Sequence, residues 1–220
     1  MAGHELNAIA EIILKPRHYA QDAEIHADCD QVFIERLKVF PQALLLGFWQ
    51  THFEWRDLVA LPGMSGRILD FGCGSGHSDI FVARFGATIH GIDLSGIGID
   101  IANHLRSHEA PEIQRRVSFQ MADVRVDRPA DGPFDCAWAS HVFEHIADPA
   151  EIFDGLRAWL KPGAPMLISV PLGHAYDDPS HLHHWATAEA LGEHLAPHAA
   201  VQSVEALADK QVIRALCRIG

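Results

Sequence analysis

The sequence predicts an α/β protein: a doubly wound, mostly parallel sheet of about seven strands, with a helical cap ahead of it and an antiparallel hairpin at its C-terminal end. Three observations predict it. From Arg67 onwards short β-type runs alternate with helical stretches. A turn carrying Gly72, Gly74 and Gly76 falls where the first strand meets the first helix of that series. After Val170 the alternation gives way to one helix and two strands joined by Ala208-Asp209-Lys210, which reads as a reverse turn.

The expected strands are Arg67 to Phe71, Thr88 to Ile92, Val117 to Met121, Phe134 to Ala139 and Pro165 to Val170, each a short apolar run of the kind that a parallel sheet buries. Helices are expected at His77 to Phe85, Ile97 to Ser107 and Pro149 to Leu160, the last stopped by Lys161-Pro162-Gly163. Thr187 to Leu195 continues as helix, followed by strands at Ala200 to Leu207 and Gln211 to Arg218. Ahead of this region, Asp28 to Val39 and Pro41 to Val59 read as helices, with Phe48, Trp49, Phe53 and Trp55 gathered in the second. Those aromatics suit either packing against the sheet or a lid over a ligand. Leu61-Pro62-Gly63 marks the join, giving a helical cap over residues 1–60 and a catalytic-type α/β domain over 61–220.

Composition narrows the function. Against 17 Lys and Arg stand 29 Asp and Glu, a formal charge of −12 with no basic block, so phosphate-backbone binding has no cationic surface to use and nucleic acid is excluded as the expected partner. No apolar run approaches the roughly 18 to 20 residues that span a bilayer, so no membrane partner is expected. The N-terminal residues lack a basic start, an apolar run and a small-residue cleavage site, which makes the cytoplasm the expected location. Cys29, Cys73, Cys136 and Cys217 lie far apart with no C-x-x-C spacing and read as reduced thiols. The 16 histidines are unusual. The oligomeric state leaves no mark in the sequence.

The chemistry gathers at strand ends. In Arg67-Ile-Leu-Asp-Phe-Gly-Cys-Gly-Ser-Gly-His77 the glycines allow positive φ and bring backbone close to a polar ligand at a helix N-terminus. A nicotinamide site uses G-x-G-x-x-G for this purpose, and here the third glycine comes one place early, which disfavours an NAD-dependent oxidoreductase. Asp93 closes the second strand, where a carboxylate can accept hydrogen bonds from two ribose hydroxyls or cap the next helix. Asp123 follows the third strand in Met121-Ala-Asp123-Val124.

With Asp70 ahead of the G-x-G-x-G spacing, the sequence resembles the class I methyltransferases that use S-adenosylmethionine (SAM), over about Arg67 to Trp185. The resemblance implies a Rossmann-like fold and a cofactor site of Asp70, Gly72, Cys73, Gly74 and Gly76 at the methionine part and Asp93 and Leu94 at the ribose. Asp123 and Val124 would serve the adenine, and Ser140 and His141 the methionine end again. It implies methyl transfer from SAM, leaving S-adenosylhomocysteine (SAH), to a small-molecule acceptor, with a hydroxyl oxygen the expected target. A SAM-binding regulator or partner subunit without turnover is the alternative.

After the fourth strand comes Ala139-Ser-His141-Val-Phe-Glu144-His145. Its H-x-x-E-H spacing matches an inverzincin peptidase, but that motif lies within a long helix, whereas here Asp148-Pro149 arrives within a turn. The ubiquinone-pathway O-methyltransferases and the small-RNA 2′-O-methyltransferases carry E-x-x-E-H at this place and hold a divalent metal with it. Here His141 replaces the first Glu. If the segment turns helically, His141, Glu144 and His145 share a face, and the imidazoles shift the ion from magnesium towards a transition metal. The small-RNA branch adds a histidine four residues before a Trp, which His181 matches ahead of Trp185. The expected metal set is therefore His141, Glu144, His145 and His181, with His145 and His181 as the expected general bases. The alternative is that these groups serve packing and substrate polarity without a metal, and His174, His183 and His184 read equally as solvated loop residues.

Overall fold

In the computed structural model the described residues are 2–19, 23–39, 64–175 and 178–220. The helix expected at Pro41 to Val59 with its four aromatics, the Leu61-Pro62-Gly63 join and Asp177 lie outside them. Seven strands form a sheet in the order β3-β2-β1-β4-β5-β7-β6. The chain divides into two compact units, one of residues 1–59 and 73–122, the other of residues 60–72 and 123–220.

The first unit holds α1 (Ala2–Leu14), α2 (Ala23–Val39), α3 (His77–Arg84), β2 (Thr88–Asp93), α4 (Gly96–Ser107), the short α5 (Pro111–Gln114) and β3 (Val117–Met121). β2 and β3 run parallel, with Ile89 opposite Val117 and Asp93 opposite Met121. α1, which the sequence reading did not assign, sets Ile9 and Ile13 on one face, and they join Phe33, Ile97 and Ile101 in an apolar cluster. α2 begins at Ala23, five residues before the expected start, and this brings His26 into the helix. Ser95 caps α4, accepting from the Gly98 N–H at 2.9 Å.

The second unit holds β1 (Arg67–Phe71), β4 (Cys136–Ser140), a 3-10 turn (Phe143–His145), α6 (Pro149–Trp159), β5 (Ala164–Pro171), α7 (Ala188–Leu195), β6 (Ala200–Leu207) and β7 (Val212–Ile219). β1 pairs in parallel with β4, and β4 with β5, while β7 runs antiparallel between β5 and β6. All eight residues of β5 are buried, which explains its unbroken apolar reading. β4 starts at Cys136 instead of Phe134. Phe134 makes a single bridge to Leu160, and the Asp135 side chain turns aside to accept from the Arg67 N–H at 2.7 Å and from Lys161. Lys161 and that backbone bond hold the Asp135 carboxyl below the usual carboxylate range. Asp148 and Pro149 start α6 as cap and first residue, and Thr187 caps α7.

Phe153 of α6 is fully buried, its ring 5.4 Å from that of Phe143 and 5.7 Å from His198. Phe153→Ala should therefore destabilise the protein by about 3–5 kcal/mol. A denaturant midpoint unchanged from wild type would contradict this packing.

Candidate functional site

The glycine turn and the acid after β2 form one hydrogen-bonded unit. Gly76 sits at φ 69° at the start of α3, and a Cβ there would meet Ala102 at 2.7 Å and the Phe119 ring closer still, so the turn closes only around glycine. The Cys73 N–H donates to the Ile92 carbonyl at 3.0 Å, tying the turn to β2. At the end of β2, Asp93 accepts from the Gly74 N–H through Oδ2 and from the Ser95 N–H through Oδ1, each at 2.8 Å. The Leu94 carbonyl next to it lies 2.6 Å from Nδ1 of His26 in α2. Five expected positions, Cys73, Gly74, Gly76, Asp93 and Leu94, thus belong to one local structure, and the Gly74 amide serves to orient Asp93.

The other expected cofactor positions belong to the second unit. Asp70, 4% exposed, lies in register with Trp138 on β4, and Ser140 ends β4 in register with Ser169. Gly72 has φ 82°, and a Cβ on it would overlap Val142, so the first glycine makes room for the loop that follows β4. Asp123 is buried and held by Arg125, whose Nε and backbone N–H each donate to Oδ1 at 2.9 Å while Nη2 donates to Oδ2. Val124 beside it is buried.

The segment after β4 does not make the α-helical turn that would set His141, Glu144 and His145 on one face. His141 takes a left-handed backbone, φ 56°, and its N–H donates to the Ser169 carbonyl at 2.9 Å. The chain then makes a single 3-10 turn over Phe143–His145. This conformation puts the Glu144 side chain inside, 0% exposed, and neither carboxylate oxygen finds a hydrogen-bond partner among the described residues. His141 reaches it with Nδ1 at 3.4 Å from Oε1. Glu144, His145 and His181 each bring one ligand atom to within 4.8 Å of the others.

The loop carrying His181 is laced to this turn. The Leu182 and His183 N–H groups donate to the Glu144 carbonyl at 2.7 and 3.2 Å, and His183 Nε2 donates to the Ile146 carbonyl at 2.9 Å. His145 Nδ1 lies 3.1 Å from the Ser180 carbonyl and 3.2 Å from the Ser180 hydroxyl. Asp178 fixes Ser180 in turn, accepting from its hydroxyl at 2.6 Å and its N–H at 2.9 Å. Burial lowers the His181 pKa, which keeps that imidazole neutral near pH 7. The structure thus gathers Glu144, His145 and His181, with His141 touching the set through Glu144. His174 and His184 stack on each other at 4.2 Å further out.

Such a centre can hold a cation, because a buried carboxylate with no donor is costly until a positive charge faces it. Sequence reasoning missed four groups that orient the expected ones: Arg125, Ser180, His26 and Asp30. Arg125, two residues beyond Asp123, was the one with a visible signal, an opposite charge within side-chain reach.

Strands of this order, a G-x-G-x-G turn after the first and an acid ending the second define the class I SAM-dependent methyltransferases. The methyltransferase-domain family matches residues 49–209, and the chain belongs to that family. It is 31% identical over 139 residues to a ubiquinone biosynthesis O-methyltransferase of Xylella fastidiosa, covering 58% of this chain and 55% of that protein. To a phosphoethanolamine N-methyltransferase of Triticum aestivum it is 34% identical over 137 residues, 60% of this chain and 26% of that one. The match therefore spans about half of the first relative and about a quarter of the second. Among solved structures, the glycopeptide N-methyltransferase MtfA complexed with SAM shares the fold, with a TM-score of 0.63, 14% identity and coverage of 76% of this chain and 93% of that one. The [4+2]-cyclase SpnF aligns with a TM-score of 0.58 at 25% identity, over 72% of this chain and 60% of its own.

Replacing Glu144 by Gln keeps its volume and removes a buried carboxylate that accepts no hydrogen bond among the described residues. Metal-free Glu144→Gln should be about 1–3 kcal/mol more stable than metal-free wild type. Calorimetry of the two chelator-treated proteins checks this, and a lower melting temperature for the variant would contradict it.

Proposed function

We propose that this protein transfers a methyl group from SAM to a hydroxyl oxygen of a small-molecule acceptor, with a divalent transition metal held by Glu144, His145 and His181. The observation that carries the metal assignment is the fully buried Glu144 carboxylate, which accepts no hydrogen bond among the described residues, has His141 Nδ1 3.4 Å from Oε1 and has ligand atoms of His145 and His181 within 4.8 Å. The donor set fits such an ion: one carboxylate oxygen and two imidazole nitrogens favour manganese, iron, nickel or zinc over magnesium. Ligand atoms on a bound ion at bond lengths near 2.0–2.2 Å stand roughly 3–3.5 Å apart, so a modest side-chain adjustment closes the set. His145 is also held as a ligand should be, its other nitrogen bonded to a backbone carbonyl.

The residues divide the work. Asp93, oriented by the Gly74 and Ser95 amides, would accept the ribose hydroxyls, and Asp123, oriented by Arg125, the adenine amino group. Asp70, Gly72, Cys73, Gly76, Leu94, Val124, Ser140 and His141 would line the remainder of the cofactor. When bound, SAM would supply a sulfonium methyl to the acceptor oxygen in line, an O–C bond forming as the C–S bond breaks and SAH leaves. When bound, a metal lowers the acceptor hydroxyl's pKa. Where no metal is bound, the acceptor proton is taken instead by His181 or His145, which His181 can do near neutral pH because burial lowers its pKa. Holding the acceptor oxygen roughly 3–3.5 Å from the methyl carbon supplies much of the remaining rate.

The names of the relatives, one a ubiquinone biosynthesis O-methyltransferase and one a phosphoethanolamine N-methyltransferase, support a small acceptor. The −12 charge supports the same reading over a nucleic acid, and a cytoplasmic location goes with it. Among the described residues no helix is long and apolar enough to cross a membrane.

SAH formation from SAM across a panel of vicinal diols and phenols tests the reading. Wild type should turn over at least one of them. His145→Ala and His181→Ala should lose roughly 10²- to 10⁴-fold in kcat while the SAM Kd changes little. Wild-type turnover in both variants would overturn the assignment of these histidines.

A further inference from the structure

Helix α2 presents an unusual face to the turn after β2. His26, Asp30 and Phe33, at i, i+4 and i+7, form one stripe, and all three are buried. A buried stripe that begins with an imidazole and a carboxylate gains little from packing and bears the desolvation cost of both polar groups, so specific partners must repay it. They do so on the stretch that follows Asp93. Asp30 Oδ1 accepts from the Ser95 hydroxyl at 2.7 Å and from the Ile97 N–H at 2.9 Å, and Oδ2 accepts from the Tyr19 hydroxyl. His26 Nδ1 donates to the Leu94 carbonyl at 2.6 Å, and its ring stacks on Tyr19 with centroids 4.8 Å apart.

The bonds to Leu94, Ser95 and Ile97 fall on the stretch that follows the expected ribose acid. Ser95 is both the residue whose hydroxyl Asp30 receives and the residue whose N–H fixes Asp93 Oδ1. The N-terminus of α4 is capped twice, once by its own Ser95 and once by a carboxylate from a helix more than sixty residues earlier in the chain. On the other side of Asp93, the Phe33 ring lies against Gly74 and Gly98, and a Cβ on Gly98 would come within 2.9 Å of it. Gly74 supplies the N–H that fixes Asp93 Oδ2. Both donors that orient Asp93 are thus braced by α2.

We propose that α2 is part of the nucleoside-binding site, with Asp30 as the positioning residue that holds Leu94–Ile97 in the shape in which Asp93 receives a ribose diol. The inference rests on the SAM reading given above and adds a reciprocal consequence. If α2 shapes the loop that binds the ribose, the bound ribose also holds α2 in place, and the two are linked by the same coupling free energy. Helix α2, ahead of β1 in the chain, is then an element of cofactor binding. Tyr19 supports the arrangement, because its burial and the neighbouring Asp30 raise its pKa and keep the hydroxyl a donor. Cys29, one residue before Asp30, has its thiol pushed up to about 12 by burial with the Asp93 and Asp30 carboxylates adding to it, so it stays uncharged beside the ribose acid.

The test uses the full chain with SAH as the probe. SAH affinity by calorimetry, KM for SAM and kcat are measured for wild type, Asp30→Ala, Asp30→Asn and Ser95→Ala, together with trypsin cleavage within residues 1–39 with and without SAH. Asp30→Ala and Ser95→Ala should each weaken SAH about tenfold or more, a loss carried by KM for SAM with kcat nearly unchanged. Asp30→Asn keeps an acceptor for Ser95 or Ile97 and should recover part of the loss. SAH should slow cleavage of the wild-type N-terminal helices and protect Asp30→Ala less. Should Asp30→Ala fail to fold, Ser95→Ala removes only a hydroxyl and carries the test. Wild-type SAH affinity in a folded Ser95→Ala and Asp30→Ala would overturn this inference alone, whereas a folded wild type that binds no SAH would overturn the cofactor reading and this inference with it.

Discussion

A carboxylate buried without a hydrogen-bond donor is the constraint around which the second unit is arranged. Glu144 could have been left at the surface by an ordinary helical turn after β4. Instead His141 adopts a left-handed backbone that costs a non-glycine residue on the order of 1 kcal/mol, and the 3-10 turn that follows carries Glu144 inward. Neighbouring features accommodate that turn. Gly72 lacks the side chain that Val142 would strike, and the His181 loop donates two backbone hydrogen bonds to the Glu144 carbonyl. A strained backbone beside a buried carboxylate that accepts no hydrogen bond is what a stable core avoids.

Asp93 organises the first unit in a comparable way, but by satisfying its charge. Two backbone amides, from the glycine turn and from the start of α4, hold its oxygens, and the loops donating them are braced by α2. The two carboxylates therefore illustrate opposite uses of a strand end. One is held by two backbone amides, the other is buried and accepts no hydrogen bond among the described residues.

Much of the fold was legible because parallel strands between helices read as short apolar runs, and β1, β3 and β6 fall at their expected boundaries. The start of β4 was misread because Phe134 is apolar and buried like a strand residue, yet makes only a bridge while Asp135 turns to Arg67 and Lys161. α1 was missed although Ile9, Ile12, Ile13 and Leu14 make its second half apolar, and Ile9 and Ile13 pack with Ile97 and Ile101 of α4. At the site, residue types and spacings pointed to Glu144, His145 and His181, but not to the conformation joining them, since φ at His141 is set by its bond to Ser169 and by the space over Gly72. His26 and Asp30 were illegible for a physical reason. Polar residues along a helix read as its solvent face, and only the partners after Asp93 reveal that this stripe is buried.

Fold alone does not decide the reaction, as the [4+2]-cyclase among the structural neighbours makes plain. The reading proposed for this chain turns on the Glu144 centre. The most direct test is a crystal of the protein grown with SAH and manganese, with anomalous diffraction recorded near the manganese edge. The account predicts a single strong peak bonded to Glu144, His145 and His181. Clear density for these side chains with no peak between them, or a peak held elsewhere, would contradict it.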